Sequence, residues 1–128
     1  MDSNPVGWFE IYVADLPRAR KFYETVLGVK LEGLPNPDKS IEIEMLSFPM
    51  KEGGMGAAGA LAKMKDGPAG GGTSTIVYFS CDDCAVESSR VAAAGGEVMK
   101  EKTSIGNYGF IALAIDTEKN VIGLHSLK

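Results

Sequence analysis

The chain has 128 residues, with 13 Lys and Arg against 17 Asp and Glu, a net charge of −4 and 45% hydrophobic residues. That length suits one domain whose core is large enough to fold without disulfides or metal. The acidic balance excludes bulk attraction to nucleic-acid backbones or anionic lipid, and no apolar run nears the ~20 residues of a membrane span.

Residues 7–13, GWFEIYV, are aromatic and β-branched and predict a strand, with Trp8, Glu10 and Tyr12 on one face and Phe9, Ile11 and Val13 on the other. Asp15 stands at the N-cap position and Pro17 in the first turn of a helix over 16–27, whose apolar positions are Leu16, Ala19, Phe22, Tyr23, Val26 and Leu27. Gly28 ends it, and 29–32 form a short strand. After a loop at 33–40, residues 41–50 alternate, with Glu42 and Glu44 on one face and Ile41, Ile43 and Met45 on the other. A small-residue strand, MGAAGALAK, follows. Residues 64–74 are rich in glycine and read as a linker. Strand 75–81, helix 84–94, strand 96–100, a turn at 103–107, strand 108–115 and strand 121–126 complete the chain.

The chain therefore says something similar twice. Laying Asp15 on Asp82 gives an offset of 82 − 15 = 67, which also lays Gly28 on Gly95, Leu31 on Val98 and Tyr12 on Phe79. Two copies at this long period suggest a duplicated half-domain rather than a solenoid. The expected organisation is one α+β domain: half-repeat 5–63, linker 64–74 and half-repeat 75–128, two βαβββ units of curled mixed sheet with the helices outside and a ligand cleft between them.

The words DLPRARKFYETVLG (15–28) and DTEKNVIGLHS (116–126), with AAAGGEV and KTSIGNYGF, resemble the vicinal oxygen chelate superfamily. That superfamily includes glyoxalase I, extradiol dioxygenases and bleomycin-resistance proteins, and the likeness is to its glyoxalase-related branch of unassigned activity. The resemblance covers essentially the whole chain. It implies metal ligands on facing strands, at positions that here hold Trp8, Thr75 and Gly123. Indole and glycine cannot ligate a metal, and threonine rarely does in such sites. No cofactor is therefore expected, and a divalent metal is disfavoured. A displaced site would draw on Glu10 and His125, with Glu44 as a third ligand.

Each candidate has a plainer alternative. His125 reads equally as a hydrogen-bonded strand residue, and Glu42 and Glu44 as a solvated strand face. Glu10 among aromatics needs either a partner or a wet cleft. Trp8, Tyr12 and Phe79 are cleft walls or core. Cys81 and Cys84 have dithiol spacing, but the two intervening carboxylates oppose a thiolate, and no second pair exists for zinc.

The function expected is small-molecule binding by a glyoxalase-like protein. The rivals are a metal-dependent lyase, isomerase or dioxygenase with a displaced site, and a drug- or metabolite-sequestering protein. Expected partners are a small ligand and, by resemblance, a second copy in a homodimer; neither nucleic acid nor membrane is expected. A start without a basic and apolar leader gives a cytoplasmic location as the default.

Overall fold

The structure is a computed structural model that describes residues 4–36, 40–67, 69 and 74–128. The chain divides into two compact units, Trp8–Thr75 and Ile76–Lys128, the latter joined by the residues through Gly7. Part of the expected linker, residues 68 and 70–73, lies outside the described residues, as do 37–39 of the expected loop.

The first unit runs β1 (Val6–Tyr12), α1 (Leu16–Leu27), β2 (Glu32–Leu34), β3 (Ile43–Ser47) and β4 (Ala58–Met64). Its strand order is β2-β3-β4-β1, with β4 parallel to β1 and the other pairs antiparallel. Asp15 caps α1 by accepting from Arg18 N at 3.0 Å, and Gly28 (φ 66°) closes it in the left-handed conformation that a Cβ disfavours. Leu16, Leu31, Phe48 and Leu61 form the core under the helix, joined by Phe9, Ile11, Ala19, Tyr23 and Leu46. Phe22, Val26 and Leu27 are exposed, so the buried stripe of α1 is narrower than its apolar spacing predicts.

The strand expected at 29–32 begins only at Glu32, because α1 occupies the preceding backbone. Glu24 accepts from Leu31 N at 2.8 Å, while Arg20 donates to Leu31 O at 2.7 Å and to Glu24 at 3.0 Å. Those bonds satisfy the peptide groups of Leu31 without a neighbouring strand.

The second unit runs β5 (Thr75–Ser80), α2 (Cys84–Arg90), β6 (Glu97–Ser104), a 3-10 turn (Gly106–Tyr108), β7 (Phe110–Ile115) and β8 (Val121–Ser126). Its order is β5-β8-β7-β6, with β5 parallel to β8 and the other pairs antiparallel. The core beneath α2 is Cys84, Ala112 and Leu124, with Phe79, Cys81 and Phe110 packed against it. α2 is shorter than the expected 84–94 and buries Cys84 and Ser88, leaving Val86 exposed.

The α2 N-cap is Asp83, which accepts from Ala85 N at 3.0 Å. The two helix caps are therefore 83 − 15 = 68 residues apart, and Leu16 and Cys84, both buried, open their helices. The offset of 67 returns only after the helices, at Gly28 and Gly95, both with positive φ. Since side chains alternate along a strand, this one-residue slip exchanges the faces of β5. The counterparts of Glu10 and Tyr12 are Tyr78 and Ser80.

Candidate functional site

In the first unit, register fixes which side chains share a face. Glu10 pairs with Ala60, and Ala60 with Ser47. Tyr12 pairs with Ala62, and Ala62 with Met45, while Trp8 pairs with Ala58. Ile11, Leu61 and Leu46 pair likewise and belong to the core under α1. The Glu10 row therefore lies on the face turned away from α1.

Glu10 is only 8% exposed, on a sheet face where the β4 residues paired with Trp8, Glu10 and Tyr12 are Ala58, Ala60 and Ala62. A carboxylate there needs partners. Trp8 Nε1 donates to Oε2 at 3.0 Å and the Tyr12 hydroxyl donates to Oε1 at 2.6 Å. These two donors orient the carboxylate, and two rigid rings flank it. Such a group is an oriented acceptor for a ligand's N–H or O–H.

Glu44 does not join it. It pairs with Lys63 and shares its face with Leu46, so it stands on the opposite side of the sheet from Glu10. It is exposed and lines a groove of about 480 Å³ with Leu16, Leu34 and Ile43. The expected grouping of Glu44 with Glu10 is thereby corrected: alternation along β3 puts the two carboxylates on different faces.

In the second unit, Phe79 pairs with Leu124 and packs beneath α2, which corrects its placement as a ligand wall. Thr75 has the same strand parity and is exposed. The opposite face carries Tyr78, paired with Gly123, and Ser80, paired with His125. His125 is half-buried, and its Nε2 lies 2.6 Å from Tyr108 O. A carbonyl only accepts, so Nε2 carries the proton and the ring is tied to the 3-10 turn. His125 and Glu10 belong to different units.

The residues do not fit the metal that the fold family implies. At the first ligand position the Trp8 indole is occupied as a donor to Glu10. At the last, the space a side chain would need at Gly123 is filled by the Tyr78 ring. Ala58, Ala60 and Ala62 on β4 offer no donor atoms. Among the described residues no three His, Cys, Asp or Glu side chains stand together as a ligand set.

Cys81 and Cys84 are free thiols. Burial, then the Glu87 carboxylate, pushes the Cys81 thiol up to about 11. That is the reverse of the depressed thiol of a redox dithiol. No helix among the described residues is long and apolar enough to cross a membrane.

Tyr78 and Ser47 are the residues that sequence reading missed. Either Asp82 or Asp83 can cap α2 in a sequence, and the choice decides whether Tyr78 or Phe79 mirrors the Glu10 face. Ser47 was legible from alternation with Ile43 and Met45, but nothing in the sequence places it in the row of Glu10 and Ala60.

Comparison with known structures agrees with this architecture. A methylmalonyl-CoA epimerase from Mycobacterium tuberculosis superposes with a TM-score of 0.66 at 20% identity, covering 97% of this chain and 88% of that one. A hypothetical protein from Bacillus halodurans C-125 gives 0.72 at 13% identity, covering 99% and 96%. A methylmalonyl-CoA epimerase from Streptomyces coelicolor, in complex with 2-nitronate-propionyl-CoA, gives 0.62 at 16% identity, covering 96% of each chain. At these identities the likeness is one of fold. No curated protein sequence matches the chain. The profile of the Glyoxalase/Bleomycin resistance protein/Dioxygenase superfamily matches residues 6–123, and with both βαβββ units in place the chain belongs to that superfamily.

Proposed function

We propose that the protein binds a small, flat organic molecule on the Glu10 face of its first unit, without a metal. The observation that carries this reading is the Glu10 carboxylate, buried and held between Trp8 Nε1 and the Tyr12 hydroxyl. A ligand presents a hydrogen-bond donor to that carboxylate and a flat surface to the rings. If chemistry follows, Glu10 is the proton acceptor.

The ligand is neutral or cationic. A buried carboxylate disfavours an anion beside it, and a net charge of −4 gives no overall attraction for a polyanionic thioester such as the ligand named with the epimerase structures. Within this face the alanines of β4 supply no acid–base group beside Glu10, and the Tyr12 hydroxyl is the titratable neighbour bonded to it.

The test is a thermal-shift screen of neutral, cationic and anionic aromatic fragments against wild type and Glu10→Gln. Neutral or cationic donors should raise the wild-type Tm, and those shifts should shrink in the variant. Equal shifts in both proteins would reject the reading.

A further inference from the structure

We propose that the outer side of α1 carries a second ligand site, independent of the Glu10 face, which takes a phosphate group through Arg20, Lys21 and Lys30.

A concavity of about 350 Å³ lies between α1 and the segment that follows it. Its charged lining is Arg20, Lys21, Glu24 and Lys30, and Pro17 and Val29 form its apolar wall. Gly28 ends α1 in the left-handed conformation, and the chain beyond it brings Lys30 back beside Glu24. Three bases thus stand with one acid, in a chain whose net charge is −4. The volume is at the lower end of the roughly 300–1,000 Å³ of small-molecule sites, which suits a small ligand.

Arg20 is fixed before any ligand arrives. Its Nε donates to Glu24 Oε2 at 3.0 Å and its Nη2 to Leu31 O at 2.7 Å, while Leu31 N donates to the same Glu24 oxygen at 2.8 Å. A guanidinium is planar, so two bonds on it also set the direction of Nη1. Nη1 makes no hydrogen bond among the described residues, which leaves an oriented N–H edge. Glu24, the only acid in the lining, is already engaged by Arg20 and the Leu31 peptide. Lys21 and Lys30 form no ion pair among the described residues.

Two uncompensated ammonium groups beside an oriented N–H edge suit a dianion with several acceptor oxygens. A phosphate monoester carries about −1.5 to −2 near neutral pH on three such oxygens. A carboxylate carries one charge on two oxygens, and matches only half of the lysine pair. Pro17 and Val29 offer the organic part of an ester a surface to pack on. The Glu10 row lies on the sheet face turned away from α1, so this anion and the Glu10 ligand bind separately.

Phenyl phosphate, inorganic phosphate and acetate are the probes, titrated at low ionic strength and pH 8 into isotope-labelled protein followed by NMR. The proteins are wild type, Lys21→Gln, Lys30→Gln, the double variant and Lys51→Gln. Lys51 is an exposed lysine outside the concavity and serves as the control. Both phosphates should shift the Arg20 Nε–H signal and the Val29 and Lys30 amides saturably. Lys21→Gln and Lys30→Gln should each weaken phosphate about twofold to fivefold, the range of an exposed ion pair, and the double variant should abolish saturation. Lys51→Gln should leave the affinity unchanged, and acetate should bind more weakly than either phosphate. Tighter binding of phenyl phosphate than of inorganic phosphate assigns the site to an ester, and equal binding assigns it to the free ion. No saturable shifts in wild type, an equal loss in Lys51→Gln, or acetate binding as tightly as phosphate would overturn the proposal.

Discussion

The ring of Tyr78 takes the space that a side chain at Gly123 would need, with an added Cβ meeting Tyr78 Cδ1. The two residues pair directly across β5 and β8. Gly123→Ala should therefore overpack the sheet and cost about 1–3 kcal/mol, read by thermal denaturation. Tyr78→Ala in the same chain should recover part of that loss, since the clash is pairwise. Gly123→Glu should destabilise further and retain no zinc after dialysis. A Gly123→Ala protein as stable as wild type would mean that the ring yields and the position is open.

The short bond from the Tyr12 hydroxyl to Glu10 is buried and charge-assisted. Tyr12→Phe should lower stability by about 1.5–3 kcal/mol in urea unfolding, the range for hydrogen bonds to charged groups. Trp8 is the chain's single tryptophan, so its fluorescence reports on this cluster. Because its Nε1 donates to Glu10, Glu10→Gln should alter the emission of the folded protein. Unchanged emission would mean that the indole is not held by the carboxylate.

The Cys81 thiol is raised from 9.0 to about 11, first by burial and then by Glu87. The folded protein therefore holds this proton more tightly than the unfolded chain does. The stability linked to it is complete below pH 9 and is lost as pH rises from 9 towards 11. Iodoacetamide should label Cys81 slowly at pH 8, and Glu87→Gln should speed the reaction by removing the neighbouring negative charge. Fast labelling at pH 7 would restore the dithiol reading of Cys81 and Cys84.

The elements legible in the sequence were those with strong local signals. α1 has an N-cap, a proline and a terminal glycine, and it runs over the expected 16–27. β8 likewise spans the expected 121–126. What escaped depended on parity and on tertiary bonds. Two adjacent aspartates left the α2 cap ambiguous by one residue, and that residue decides which face Phe79 and Tyr78 occupy. β2 starts late because Arg20 and Glu24, on α1, claim the Leu31 peptide. Glu10 was recognisable as a carboxylate among aromatics. That Trp8 and Tyr12 both donate to it, and that Ser47 shares its row, required strand pairing.

The slip from 67 to 68 can itself be tested at the adjacent aspartates. Asp83 accepts from Ala85 N at the start of α2 and from Lys102 Nζ at 2.8 Å, whereas Asp82 is exposed. The bond from Lys102, then that from Ala85 N–H, holds the Asp83 carboxyl below its usual 3.8. A depressed carboxyl contributes stability above the unfolded value, and that stability is lost as pH falls through the folded one. Asp83→Ala should lower the Tm at pH 7 and flatten the acid limb of the Tm–pH curve below about pH 5. High salt should narrow the gap to wild type, because the Lys102 pair is partly exposed. Asp82→Ala should leave both the Tm and the acid limb unchanged. A larger loss from Asp82→Ala than from Asp83→Ala would return the helix cap to Asp82, and with it the pairing of Tyr12 with Phe79.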